Sequence, residues 1–179
     1  MERVSIRLQD LANPAGALTM ARFPLALVFA LLQTGPWALA VYLAGVGTDV
    51  VDGWIARRTG TTSAAGALAD GIADKTFHAA VALSLWSAGA IPWHWLLLWF
   101  SREAGQALLM GGMLLARHEH ASPHRKREAN RLGKATTVVL GLACIAVLAG
   151  WSTLAIAATH TCGVIGLVAT LSYARRELG

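Results

Sequence analysis

Charge is what this sequence carries least of. Only 14% of its 179 residues are Asp, Glu, Lys or Arg, against about 25% in a soluble domain. Hydrophobic residues make up 55% of the chain, and the mean hydropathy is +0.52. So thin a polar complement cannot cover a soluble surface, which points to a membrane protein. Cysteine is scarce as well. Cys144 and Cys162 sit in apolar runs with no CxxC or His/Cys spacing, which argues against zinc and leaves two small buried hydrophobes. The first ten residues are charged and lack an apolar run, so no cleavable signal peptide is expected. There is no internal repeat, no low-complexity tract and almost no room for a separate soluble domain. A single domain over 1–179 is expected.

Positive charge is missing from alternate turns. Residues 34–37, 89–93 and 149–153 contain no Lys or Arg. Arg3, Arg7, Arg57, Arg58, Arg117, Arg125, Lys126, Arg127, Arg131, Lys134, Arg175 and Arg176 fall instead at the two ends and in the other two loops. This is the positive-inside pattern, with both termini cytoplasmic. It accounts for the net charge of +5 without a nucleic-acid partner. Trp37, Trp86, Trp93, Trp95 and Trp151 gather at the opposite ends of the spans, as an aromatic belt does.

The length fits about six spans of ~20 residues, placed at 15–33, 37–58, 66–88, 92–117, 133–150 and 153–174. Gly35-Pro36, Gly89 to Pro92 and Gly150 to Ser152 supply tight outer turns. The third span is rich in small residues, as close helix approach in a membrane requires. Over residues 2–11, Val4, Leu8 and Leu11 share one helical face, the pattern of a short interfacial helix. The expected fold is therefore an all-α integral membrane protein. It has a juxtamembrane segment at 1–13 and a six-helix bundle over 15–174.

Four aspartates disturb this picture. Each carboxylate at membrane depth costs about 2.5–3.5 kcal/mol. Asp49 and Asp52 are three apart, and Asp70 and Asp74 four apart, so each pair shares a helix face. A short connection makes the two helices antiparallel neighbours with both pairs near the cytoplasmic interface. Carboxylates converging there repel one another. Divalent cations neutralise them, and oxygen-only ligands favour magnesium, manganese or calcium over zinc. Two ions match four carboxylates, and a two-metal carboxylate site clamps a phosphate or diphosphate for in-line displacement. Gly53 and Ala56 let a flat group approach the helix, Arg57 can grip phosphate oxygens bidentately, and Gly66 permits close approach. The same acids could instead line a transporter's cation path, or pair structurally with Arg57, Arg58 and Lys75.

The stretch Asp49-x2-Asp52-Gly53-x2-Ala56-Arg57-x8-Gly66-x3-Asp70-x3-Asp74 resembles, at all its specified positions, the signature of the CDP-alcohol phosphatidyltransferase family. "NPAGALTMARFP" at 13–24 is similar to that family's entry to its first span. "SREAG" at 101–105 is similar to its Arg-Glu pair, and "GKATT" at 133–137 to its Gly-Lys element. The resemblance implies a six-helix homodimer with a polar cavity open to the cytoplasm, in the inner membrane of a bacterium. It implies that Asp49, Asp52, Asp70 and Asp74 ligate two Mg2+ or Mn2+ ions, with Asp74 also the general base. Gly53, Ala56, Arg57, Gly66 and Asp52 would hold the CDP moiety, with Thr48 a further candidate beside the nucleotide. The implied reaction is attack of an acceptor hydroxyl on the β-phosphorus of CDP-diacylglycerol, releasing CMP.

The acceptor is written less clearly. "SREAG" and "GKATT" look most like the phosphatidylglycerophosphate synthase branch, whose acceptor is glycerol 3-phosphate. That branch carries a second Lys and a Gln after the Gly-Lys element, where this chain has Thr136, Val138 and Val139. The acceptor could instead be phosphatidylglycerol, giving cardiolipin, or inositol phosphate. A phosphorylated acceptor needs its own cations, for which Arg131, Lys134 and Arg102 are the candidates; Arg102 could equally pair with Glu103. The "HRKR" run at 124–127 reads as membrane anchoring, and His118, His120 and His124 as solvated loop residues. His78, one turn beyond Asp74, reads as a helix-packing residue that could neighbour the site.

Overall fold

A computed structural model describes residues 14–59, 64–115 and 131–178. The amphipathic stretch expected at 2–11, and the histidines and "HRKR" run of the long loop, lie outside the described residues. All regular structure among the described residues is helical: α1 (Pro14–Leu32), α2 (Pro36–Thr59), α3 (Ala64–Ser87), α4 (Trp93–Trp99), α5 (Ser101–Leu115), α6 (Arg131–Leu148) and α7 (Ser152–Leu178). α1, α2, α3, α4, α6 and α7 start within two residues of the six helix starts expected from the sequence.

The fourth expected span is two helices, not one. Phe100, at φ −103° and ψ 13°, separates α4 from α5. The backbone ladder runs on, with Phe100 N–H donating to Leu96 at 3.0 Å and Ala104 N–H to Phe100 at 2.9 Å. Ser101 supplies the physical reason. Its hydroxyl donates to the Leu98 carbonyl at 2.9 Å, a local bond that competes with regular helix. Gly166 of α7 leaves the space, since a Cβ there would lie 2.3 Å from Ser101 Oγ. No proline marks this break, so an apolar pattern cannot announce it.

Turns are present where Gly89 and Gly150 placed them. Gly89 (φ 72°) and Gly150 (φ 75°) adopt the left-handed conformation that ends a helix with least strain. Each closes a paired cap: Ala90 N–H reaches Leu85 O at 2.9 Å, and Trp151 N–H reaches Ala146 O at 2.8 Å.

The chain divides into two compact units, Met1–Ala90 and Ile91–Gly179. In the first, α2 and α3 both pack along α1 and meet each other only locally. The expected direct α2–α3 pairing is therefore mediated by α1. Its core is aromatic: Tyr42 stacks on Phe77 at 5.9 Å between ring centroids, and Phe29 meets Tyr42 edge-on at 6.4 Å. Gly45 makes that approach possible, since a Cβ there would come within 2.2 Å of the Phe77 ring.

In the second unit α4, α5 and α6 pack on α7. Ala143, Ala146, Ala155, Ala158 and Ala169 are buried, and Trp99, fully enclosed, donates its indole N–H to Thr159 Oγ1 at 3.0 Å. Cys144 and Cys162 are free thiols inside this core, as expected of small hydrophobes.

Burial is inverted relative to a soluble protein. Alanines fill the contacts, while Leu27, Leu31, Leu108, Val164 and Leu171 stand 61–78% exposed. An outward apolar face of this kind suits lipid, and small residues at the contacts suit helices packing without a hydrophobic drive. Among the described residues two helices are long and apolar enough to cross a membrane, over Pro36–Ile55 and Ser152–Arg175. Gly16–Leu32 and Leu132–Leu148 are shorter apolar helices.

A carboxylate site as the candidate active site

Two of the signature aspartates, Asp49 and Asp70, converge on a residue from outside the signature. Arg22, in the middle of α1, is 1% exposed. Its Nη1 donates to Asp70 Oδ1 at 2.7 Å, and its Nη2 lies 3.0 Å from Asp49 Oδ1. One planar guanidinium thus joins a carboxylate of α2 to a carboxylate of α3. A fork of fixed donors can hold two acceptors at once, which an ammonium cannot do with the same geometry. The two carboxylate side chains are 44% and 43% exposed.

Asp74 is more enclosed, at 29% exposure, and has its own partner. His78, one turn along α3 and buried, brings Nδ1 to 3.2 Å from Asp74 Oδ1 and 3.0 Å from the Asp74 carbonyl. The imidazole is packed edge-on against Tyr42 at 6.2 Å and Phe77 at 5.8 Å between ring centroids.

Other predicted residues can be placed in part. Gly53 and Gly66 are half-buried on α2 and α3. Asp52, Ala56 and Arg57 belong to α2, but their side chains lie outside those described. Thr48 turns its hydroxyl to the Gly45 carbonyl at 2.7 Å. Arg58 lies 4.4 Å over the Trp54 ring, a cation–π contact on the exposed face of α2. Ion pairing of the acids does occur in the structure, with Arg22 as the cation.

The donor chemistry of Asp49, Asp70 and Asp74 is oxygen-only and fits a hard divalent cation. Among the described residues no three His, Cys, Asp or Glu side chains form a metal-holding group. Arg22 supplies the counter-charge seen in the structure.

The acceptor candidates belong to the second unit. Arg102 lays its guanidinium against Gly133 and donates from Nη1 to the Gly133 carbonyl at 3.3 Å. Glu103 Oε1 lies 3.5 Å from the same nitrogen, so the Arg102–Glu103 ion pair weighed from sequence is present. Lys134, next to Gly133 in the first turn of α6, is exposed, and the side chain of Arg131 lies outside those described.

Sequence reasoning missed Arg22, although "NPAGALTMARFP" contained it. The signal was there: a lone arginine inside an apolar helix must face a partner.

The sequence profile of the CDP-alcohol phosphatidyltransferase family matches residues 12–171, across both units. The chain belongs to the CDP-alcohol phosphatidyltransferase family. Members of this family are membrane-associated. The chain is 34% identical over 108 residues to a probable phosphatidylglycerophosphate synthase of Mycobacterium tuberculosis, covering 55% of this chain and 52% of that one. It is 35% identical over 106 residues to a CMP-forming cardiolipin synthase of Streptomyces coelicolor, covering 59% of this chain and 46% of the other. It thus spans about half the length of the curated relatives it matches. Membership in a phosphatidyltransferase family makes a cation transporter the poorer account of the same aspartates.

Proposed function

We propose that this chain moves the phosphatidyl group of CDP-diacylglycerol to the hydroxyl of glycerol 3-phosphate and releases CMP. The observation that carries this reading is the convergence on Arg22 of Asp49 and Asp70, two aspartates of the stretch that resembles the family's signature, in a chain that belongs to that family. Its setting is a six-span homodimer in the inner membrane of a bacterium, both termini and the active site facing the cytoplasm. The 1–179 chain then acts as one membrane domain. Acyl chains of the donor stay among apolar helices while its headgroup reaches the acids.

Asp49, Asp52, Asp70 and Asp74 would hold two Mg2+ or Mn2+ ions. When bound, such ions supply charge stabilisation at a phosphoryl centre. Gly53, Ala56, Asp52, Arg57 and Gly66 receive the CDP moiety, with Arg57 on the diphosphate. Asp74 takes the proton of the acceptor hydroxyl as its oxygen bonds to the β-phosphorus. The bond from that phosphorus to the bridging oxygen breaks, and CMP departs with that oxygen. A positioned general base of this kind is worth about 10²–10⁴-fold. Arg102, Arg131 and Lys134 hold the acceptor's phosphate.

A second reading differs only in the acceptor. "GKATTVV" lacks the second Lys and the Gln, and a cardiolipin synthase is among the relatives, which favours phosphatidylglycerol over inositol phosphate as the second candidate. An acceptor panel separates the readings. Purified protein is supplied with CDP-diacylglycerol and glycerol 3-phosphate, phosphatidylglycerol, inositol phosphate or serine, and the lipid product is weighed by mass spectrometry. Phosphatidylglycerophosphate is the expected product; cardiolipin would move the protein to the second reading.

A further inference from the structure

We infer that His78 is a positioning residue for Asp74, holding the carboxylate in the orientation from which it takes the acceptor's proton. The inference rests on the proposed role of Asp74 as the base. Two acceptors, Asp74 Oδ1 at 3.2 Å and the Asp74 carbonyl at 3.0 Å, face the Nδ1 of His78. Nδ1 therefore carries the hydrogen and donates to both. The carbonyl bond alone would be ordinary helix behaviour. His160 makes the same bond to Ile156 at 2.9 Å, on an exposed surface and with no carboxylate in reach at that position. His78 differs in both respects. Its side chain is 9% exposed, and its ring packs edge-on against both Tyr42 and Phe77, which restricts where its nitrogen can go.

That edge-on packing has its own support. Phe77 stacks on Tyr42, and the bare backbone of Gly45 admits the Phe77 ring. The aromatic core of the first unit thus fixes the imidazole, and the imidazole fixes one oxygen of Asp74. A carboxylate on a free χ2 rotor would sample orientations in which neither oxygen faces the acceptor. Removing that freedom is what preorganisation of a base requires.

The test uses where the nitrogen sits. In His78→Asn the amide nitrogen falls near the position of Nδ1; in His78→Gln it falls near Nε2. Full-length protein in detergent is assayed for CMP release, with the acceptor that the panel identifies, and its melting temperature is followed in parallel. His78→Asn is expected to keep kcat within about threefold of wild type. His78→Gln and His78→Leu are expected to lose about tenfold in kcat, with KM for CDP-diacylglycerol within twofold. Equal losses in Asn and Gln, or a loss confined to KM, would overturn the positioning role. Wild-type kcat in His78→Leu would do the same. Wild-type turnover in Asp74→Asn is a different failure: it would remove Asp74 as the base, and His78's role with it. The Asn–Gln pair keeps the test open should the Leu variant not fold.

Discussion

Arg22 sits 2.7 Å from Asp70 Oδ1 and 3.0 Å from Asp49 Oδ1, so a single buried guanidinium ties α1 to a carboxylate on each of two other helices. The bland outcome of four aspartates in apolar helices would be mutual repulsion and a displaced helix. The structure answers that repulsion with a charge from a third helix. Arg22→Lys keeps the charge but loses the fork, so it should hold one carboxylate at a time. CMP release is expected to fall about 10²-fold, the usual result of a small misplacement of reacting groups. Arg22→Gln should also lose about 1–3 kcal/mol of stability. That is less than the 3–5 kcal/mol of a fully buried pair, because both carboxylates are partly solvated. A melting curve and a CMP assay on the two variants check this; full activity in Arg22→Lys would contradict it.

Gly45→Ala is expected to be costly out of proportion to a methyl group. The new Cβ would lie 2.2–2.8 Å from three atoms of the Phe77 ring, and stacking on Tyr42 prevents that ring from yielding. Overpacking of this kind costs about 1–3 kcal/mol. Because Phe77 also borders His78, activity should fall further than stability. Gly47→Ala, with nothing within 4 Å of its added methyl, is the control and should be nearly silent.

The aspartate signature and the helical fold were legible because both are local. Spacings of three and four put acids on one helix face, and apolar runs ended by Gly or Pro give helices and turns. What was not legible depends on contacts between distant segments. Arg22 lies 48 residues from Asp70 in sequence, and nothing local pairs them. At the break by Phe100, the room that Ser101 needs comes from Gly166, on another helix. The expected α2–α3 neighbourhood overlooked α1 because a short connection says which helices follow one another, not which lies between them. His78 was readable as a neighbour of Asp74 from the four-residue spacing alone; its edge-on packing against Tyr42 and Phe77 was not.

Gly133→Ala separates the two roles of Arg102. A Cβ at 133 would stand 2.8 Å from Nη2, at the flexible end of a long side chain that can move away. Stability should change little. If Arg102 holds the acceptor's phosphate, KM for the acceptor should rise about tenfold, the weight of one charged hydrogen bond, with KM for CDP-diacylglycerol unchanged. An unchanged acceptor KM would leave Arg102 to its ion pair with Glu103.

Asp74→Asn should separate binding from chemistry. The amide is isosteric and cannot accept the proton, so kcat should fall about 10²–10⁴-fold. CDP binding, followed by calorimetry, should persist within about tenfold. A loss of binding as large as the loss of turnover would assign Asp74 to the donor site alone.

The central claim is that the acids of α2 and α3 serve phosphatidyl transfer. The most direct measurement is release of labelled CMP from CDP-diacylglycerol by the purified protein with Mg2+ or Mn2+ and each acceptor in turn. CMP and phosphatidyl product are expected in equal amounts, abolished by chelation and by Asp49→Asn or Asp70→Asn. No CMP with any acceptor, from protein that melts as a folded species, would contradict it.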